Sequence, residues 1–157
     1  MVDVLIKNAF VVDGSGRPGF RADVAIKGDT ITGVGDLRHL GAKRTIDAEG
    51  LVLSPGFIDA HAHSDFAIIH NPPSHSQVAQ GVTTEVSCNC GKSPFPVLPN
   101  PLPLKNIADT VWTTPKDYWK SAAHYFELLK TQGIGINTFP LVGHNSVRAK
   151  VLGMDNR

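Results

Sequence analysis

The sequence has 157 residues and a mass of 16.8 kDa, enough for about one ordinary domain. It is 41% hydrophobic and 18% charged, so it can build a core, and 15 basic against 14 acidic residues leave a formal net charge of +1. That balance points away from a nucleic-acid or membrane partner. No apolar run approaches the roughly 20 residues of a membrane span. The start, MVDVLIKNAF, lacks the basic opening and long apolar stretch of a secretory signal. Two cysteines cannot make a disulfide scaffold, so a reducing, cytoplasmic setting is expected. The length also falls short of a complete (β/α)8 barrel, which takes roughly 200–250 residues or more.

The first third reads as short strands. Val4-Leu5-Ile6 and Phe10-Val11-Val12 are β-rich pieces separated by Lys7-Asn8, and Asp13-Gly14-Ser15-Gly16 closes that unit with turn residues. Asp23-Val24-Ala25-Ile26 alternates polar and apolar, Gly28-Asp29 is a tight turn, and Thr30 to Val34 continues. Thr45-Ile46-Asp47 and Leu51-Val52-Leu53 add two more pieces, for a small sheet or half-sandwich. Gly14-Ser15-Gly16-Arg17-Pro18-Gly19 matches G-x-G-x-x-G. A dinucleotide site needs a helix immediately after that motif, to present its N-terminus to a pyrophosphate. Another strand pattern follows here, so the motif reads as a glycine-rich hairpin.

From Ser54 the pattern changes. Phe57-Ile58-Asp59-Ala60 reads as a strand, residues 72–82 as holding a short helix, and Gly81 to Cys88 as a second strand. Pro94, Pro96, Pro99, Pro101 and Pro103 mark a loop that cannot be regular structure. Thr114 as N-cap, Pro115 at the first helical position and Asp117 at the third announce a helix. Tyr118, Trp119, Ala122, Phe126 and Leu129 recur at helical spacing as its buried face, and Gly133 stops it. Ile134 to Val142 reads as a third strand. Strand, helix, strand, helix, strand is βα repetition on a parallel sheet, whose sites lie at the carboxyl ends of the strands.

Candidate chemistry sits at those ends. Asp59, His61 and His63 alternate, so on a strand they share a face, and two imidazoles about 6–7 Å apart can converge on one divalent metal. Asp59, deeper on that face, reads either as an acceptor orienting a ring or as a buried, hydrogen-bonded carboxylate. Ser64-Asp65 closes the strand in polar residues. Cys88 and Cys90 share a face if the second strand runs that far. Cys88 reads as a small buried hydrophobe, and Cys90, nearest the strand end, as a thiolate ligand. His144 follows the third strand and is a candidate for contact with substrate or a loop. His39, His70, His75 and His124 read as surface.

The run Ser54-Pro55-Gly56-Phe57-Ile58-Asp59-Ala60-His61-Ala62-His63 resembles the first barrel strand of the amidohydrolase superfamily. The region from Asp3 to Gly50 is similar to its small flanking β-domain. Gly81-Val82-Thr83-Thr84, followed by Asn89-Cys90-Gly91, resembles the N-acyl-D-amino-acid deacylase (D-aminoacylase) branch, where a cysteine after the second strand replaces the carbamylated lysine of many relatives. Val142-Gly143-His144-Asn145-Ser146-Val147-Arg148 resembles that branch's third strand end.

The resemblance implies an α/β fold. Residues 1–54 would form part of a small β-domain, and residues 55–157 the first three βα units of a TIM (β/α)8 barrel. It implies Zn2+ as cofactor, with Cys90 a ligand of the tightly held zinc and His61 and His63 lining a weaker second position. Asp59, Asp65 and His144 would stand behind the ligands or touch substrate. The implied reaction is hydrolysis of an N-acyl-D-amino acid, a small-molecule substrate, to a carboxylate and a D-amino acid. The general acid–base carboxylate and the remaining ligands would lie on later strands, so these 157 residues read as an N-terminal fragment, expected to be inactive alone, poorly soluble and weak in zinc binding. A hydantoinase or dihydroorotase-like amidohydrolase would use the same histidines with a bridging lysine, against which Asn89-Cys90-Gly91 argues. A non-catalytic zinc module using His61, His63, Cys88 and Cys90 would pair its ligands across short turns. Here His63 and Cys88 stand 25 positions apart.

Overall fold

Residues Val2–Val11 form one ten-residue strand, β1, where the sequence suggests two pieces. Lys7-Asn8 does not end it, because Asn8 takes a left-handed backbone (φ 62°) and bulges out of the ladder. The buried Asp23 holds that bulge: its carboxylate accepts from the Asn8 N–H at 3.0 Å and the Leu37 N–H at 3.1 Å. In this computed structural model residues 1–97 and 119–153 are described, and the chain divides into two units, Met1–Pro55 and Gly56–Arg157.

The first unit is a five-stranded sheet around β1. Strands β2 (Phe20–Lys27) and β3 (Thr30–Gly35) join antiparallel on one side, while β4 (Ala42–Asp47) and β5 (Val52–Leu53) run parallel to β1. Gly28, at φ 61°, makes the two-residue turn between β2 and β3, which favours left-handed residues. The Gly14–Gly19 segment connects β1 to the antiparallel β2, with no helix after it, as the hairpin reading requires. Ala9, Val11, Ala22, Val24 and Ala48 form the core.

In the second unit β6 (Phe57–Ala62), β7 (Val82–Ser87) and β8 (Asn137–Pro140) form a parallel sheet in that order. Parallel strands need long crossovers, usually helical. The β6–β7 crossover holds two short helices, α1 (Ala67–His70) and α2 (His75–Ala79); only the second was expected. The β7–β8 crossover holds α3 (Ala122–Gln132), which ends at Gly133 with φ 69°. The helix start read at Thr114-Pro115-Asp117, and Tyr118, lie outside the described residues. α3 is capped by Ser121, whose hydroxyl accepts from the His124 N–H at 3.1 Å. With the helix beginning there, its buried face turns: Tyr125 and Leu129 go inside and Phe126 remains 44% exposed. Tyr125, Leu129, Trp119, Phe95, Ile68 and Ile136 form the core, with the Tyr125 ring edge-on to Trp119 at 5.1 Å. The third strand is shorter than its apolar run, because Leu141-Val142-Gly143 leads directly into a further helix, α4 (His144–Leu152), that the sequence reading lacked.

Candidate functional site

Strand β6 delivers Asp59 and His61, and His63 stands one residue past its end. The Asp59 carboxylate accepts the His61 backbone N–H at 3.0 Å. Asp59 is exposed, so it is not the buried carboxylate of one expectation, and its partner is main chain rather than an imidazole ring. The His61 and His63 rings lie 5.4 Å apart between centroids, tilted by 52°.

Strand β7 ends at Ser87, and Cys88 then takes a left-handed backbone, φ 71°. That single residue redirects the chain, so the two cysteines do not share a face. Cys88 is 3% exposed, and burial pushes its thiol up to about 12, with the nearby Asp65 charge acting in the same direction. Cys90 is exposed and returns towards β6. The Asn89 amide donates to the Ala60 carbonyl at 3.0 Å and ties this turn to the histidine strand. The Cys90 Sγ lies 3.2 Å from His61 Nε2 and 3.5 Å from His63 Nε2, and one donor atom from each of the three falls within 4.8 Å of the others. Among the described residues this is the one group of three or more His, Cys, Asp or Glu side chains able to hold a metal.

The turn carrying Cys90 is clamped from the other side by α4. The Gly91 carbonyl accepts from the Asn145 N–H at 2.8 Å and the Ser146 N–H at 3.3 Å. Ser93 donates its N–H to the Ser146 hydroxyl and accepts the Gly143 N–H on its own hydroxyl, both at 2.9 Å. A Cβ on Gly143 would overlap the Gly91 carbonyl, so only glycine allows this approach. His144, exposed at the start of α4, lies between two residues that pack on Gly91 but is not one of the three clustered donors. Sequence reasoning missed Ser93, Ser146 and the role of Gly143. Only the glycine hinted at a close backbone approach.

Two carboxylates lie beneath. Asp65 is 5% exposed and burial pushes its acid up to about 6, against a partial opposing pull from His63. Its backbone carbonyl accepts from the Tyr125 hydroxyl at 2.7 Å. Glu85, on β7, is fully buried. Its Oε1 accepts from the hydroxyls of Ser64 and, at 3.5 Å, Thr138, while Oε2 has no hydrogen-bond partner among the described residues. A lone acid inside a strand was the available signal for Glu85, and the sequence reading passed over it.

The sequence profile of the amidohydrolase family matches residues 44–148. The chain belongs to the amidohydrolase family. This amidohydrolase chain is 38% identical over 147 residues to the N-acyl-D-glutamate deacylase of Alcaligenes xylosoxydans xylosoxydans, covering 94% of itself and 30% of that relative. It superposes on the zinc- and phosphonate-bound N-acyl-D-glutamate deacylase of Bordetella bronchiseptica with a TM-score of 0.84 at 34% identity, covering 98% of itself and 32% of that chain. A D-aminoacylase described by its binuclear metal centre gives a TM-score of 0.83 at 36% identity, with 97% and 32% covered. The amidohydrolase chain thus spans about a third of the length of these relatives. Among its described residues no helix is long and apolar enough to cross a membrane.

Proposed function

We propose that His61, His63 and Cys90 bind a divalent metal, zinc, and that the whole protein hydrolyses the amide bond of N-acyl-D-amino acids. The observation that carries the metal reading is the convergence of two imidazole nitrogens and a thiol sulfur from two strand ends. The donor set fits. Tetrahedral zinc, with bonds of about 2.3 Å to sulfur and 2.0–2.1 Å to nitrogen, sets those donors about 3.5 Å apart. The sulfur here lies 3.2 and 3.5 Å from the two nitrogens. Zinc, when bound, supplies Lewis acidity towards an amide carbonyl and lowers the pKa of a coordinated water.

The chain's own residues do the holding. Cys90, within reach of both rings, would hold the metal together with His61 and His63. Asp59 braces the His61 main chain, and the Asn89 and Gly91 contacts set the thiol's height above the strand ends. We assign residues 1–54 to the flanking β-domain and 55–157 to the opening three βα units of a (β/α)8 barrel. The parallel β6–β7–β8 order and the site at its carboxyl edge support that assignment. The similarity to N-acyl-D-glutamate deacylases and D-aminoacylase supports the substrate class. The test is an assay of the whole protein on matched N-acyl-D- and N-acyl-L-amino acids, before and after chelation. Turnover of the D-series that chelator abolishes and zinc restores is expected. Chelator-resistant turnover, or none on any N-acyl-D-amino acid, overturns it.

A further inference from the structure

His63 lies beyond the last paired residue of its strand, since the β6–β7 ladder ends at Ala62 opposite Ser87. Its direction is therefore set by what holds the next turn of chain. Three hydrogen bonds do so. The Ile68 N–H donates to the Ser64 carbonyl at 2.7 Å, the Tyr125 hydroxyl donates to the Asp65 carbonyl at 2.7 Å, and the Ser64 hydroxyl donates to Glu85. The third differs in kind. The first comes from the same crossover and the second from a helix, whereas Glu85 sits on β7, the strand that leads into Cys90. In register it stands between Asp59 on β6 and Thr138 on β8. Of the three bonds, the one to Glu85 connects the chain behind His63 to a residue within β7; the Asp65–Cys88 side-chain contact joins it just past that strand's end.

Its burial makes the choice of residue informative. Glu85 is fully buried and leaves one carboxylate oxygen without a partner among the described residues. A buried polar group that is only half satisfied is costly, and packing alone would favour an apolar side chain there.

We propose that Glu85 is a positioning residue for the metal ligands: its carboxylate holds Ser64, and through Ser64 it fixes His63 relative to Cys90. The proposal rests on the reading of His61, His63 and Cys90 as ligands. Groups of this kind, which orient a ligand from behind, typically alter metal affinity 10–100-fold when removed.

The test is Co2+ titration of the whole protein, reading both affinity and the near-ultraviolet absorption of a cobalt–thiolate bond. Ser64→Ala and Glu85→Leu should each weaken Co2+ binding by about 10-fold. The double variant should be no weaker than either single, because both remove one connection. Glu85→Gln, which keeps an acceptor for Ser64, should retain wild-type affinity. Thr138→Val removes the other hydroxyl on Glu85 without touching the chain behind His63, and it should leave affinity unchanged. A general loosening of the sheet would instead weaken all four single variants. Unchanged affinity in Ser64→Ala, additive losses in the double variant, or a Thr138→Val loss equal to that of Ser64→Ala overturns the role of Glu85 while the metal reading stands. Wild-type whole protein that shows no cobalt–thiolate absorption overturns the metal reading, and this proposal with it.

Discussion

The two sheets of this chain treat their strand ends differently. In the first unit β2 and β3 run antiparallel to their neighbours, so turns and exposed side chains are distributed over both edges. Its charged groups pair off with one another, as in Lys43–Asp3 at 2.6 Å and Arg38–Asp36 at 2.6 Å, and gather no set of metal donors among the described residues. In the second unit all three strands are parallel, so every carboxyl end lies on one edge. His61 and Cys90, 29 positions apart, meet there at 3.2 Å. Strand direction, more than composition, decides which sheet can gather chemistry: crossovers bring distant residues to one edge, and hairpins do not.

The largest expected contrast is between the two cysteines of the second unit. Alkylation at pH 8 should modify Cys90 at least about a thousandfold faster than Cys88, since a buried thiol pushed up to about 12 is ionised at only about one part in 10,000. Mass spectrometry of partly modified protein reads this directly. Equal labelling of both under native conditions would mean that the Ser87–Cys90 turn is not formed as described. Bound metal should slow the labelling of Cys90.

Next in size is the clamp between α4 and the Cys90 turn. Gly143→Ala places a methyl against the Gly91 carbonyl, so the turn must move. Co2+ affinity should fall about 10–100-fold. Val151→Ala at the far end of the same helix, where the side chain is exposed, should not change it. Equal effects of the two would break the link between α4 and the site.

Asp23→Ala sharpens the comparison from the other side. It strands the Asn8 and Leu37 amides around the β1 bulge and should cost about 2–3 kcal/mol in denaturant unfolding, with Co2+ affinity unchanged. A parallel loss of metal affinity would show that the first sheet is more than scaffold for its own core. The smallest effect concerns the half-buried Asp3, which the Lys43 ammonium and then the Gly28 N–H hold below the usual carboxylate range. A carboxyl lowered in the folded state stabilises above its unfolded pKa near 3.8, and that contribution is lost as pH falls through the folded value. Unfolding midpoints should therefore drop slightly more steeply below about pH 4 in the wild type than in Asp3→Asn.

Much of this was legible in the residues themselves. Turn pairs such as Gly28-Asp29 punctuate the strands, and the G-x-G-x-x-G segment lacks a following helix. The parallel β-architecture of the second unit follows from strands separated by helical crossovers. Less legible were features set by single backbone angles or by where a helix begins. The left-handed Asn8 keeps β1 continuous, the left-handed Cys88 parts the two cysteines, and the Ser121 cap turns Tyr125 inward in place of Phe126.

By itself the sequence determined which groups are available and roughly which strand end carries each: His61 and His63 after one apolar run, Cys90 after the next. Periodicity and turn chemistry act over a few residues, so they can be read locally. Only the tertiary structure decided that these groups meet. Their approach depends on the β6–β7 pairing, on the Asn89 and Gly91 bonds that aim the thiol, and on Glu85 behind the sheet edge. Those are contacts between residues far apart in the chain, and no local pattern encodes them.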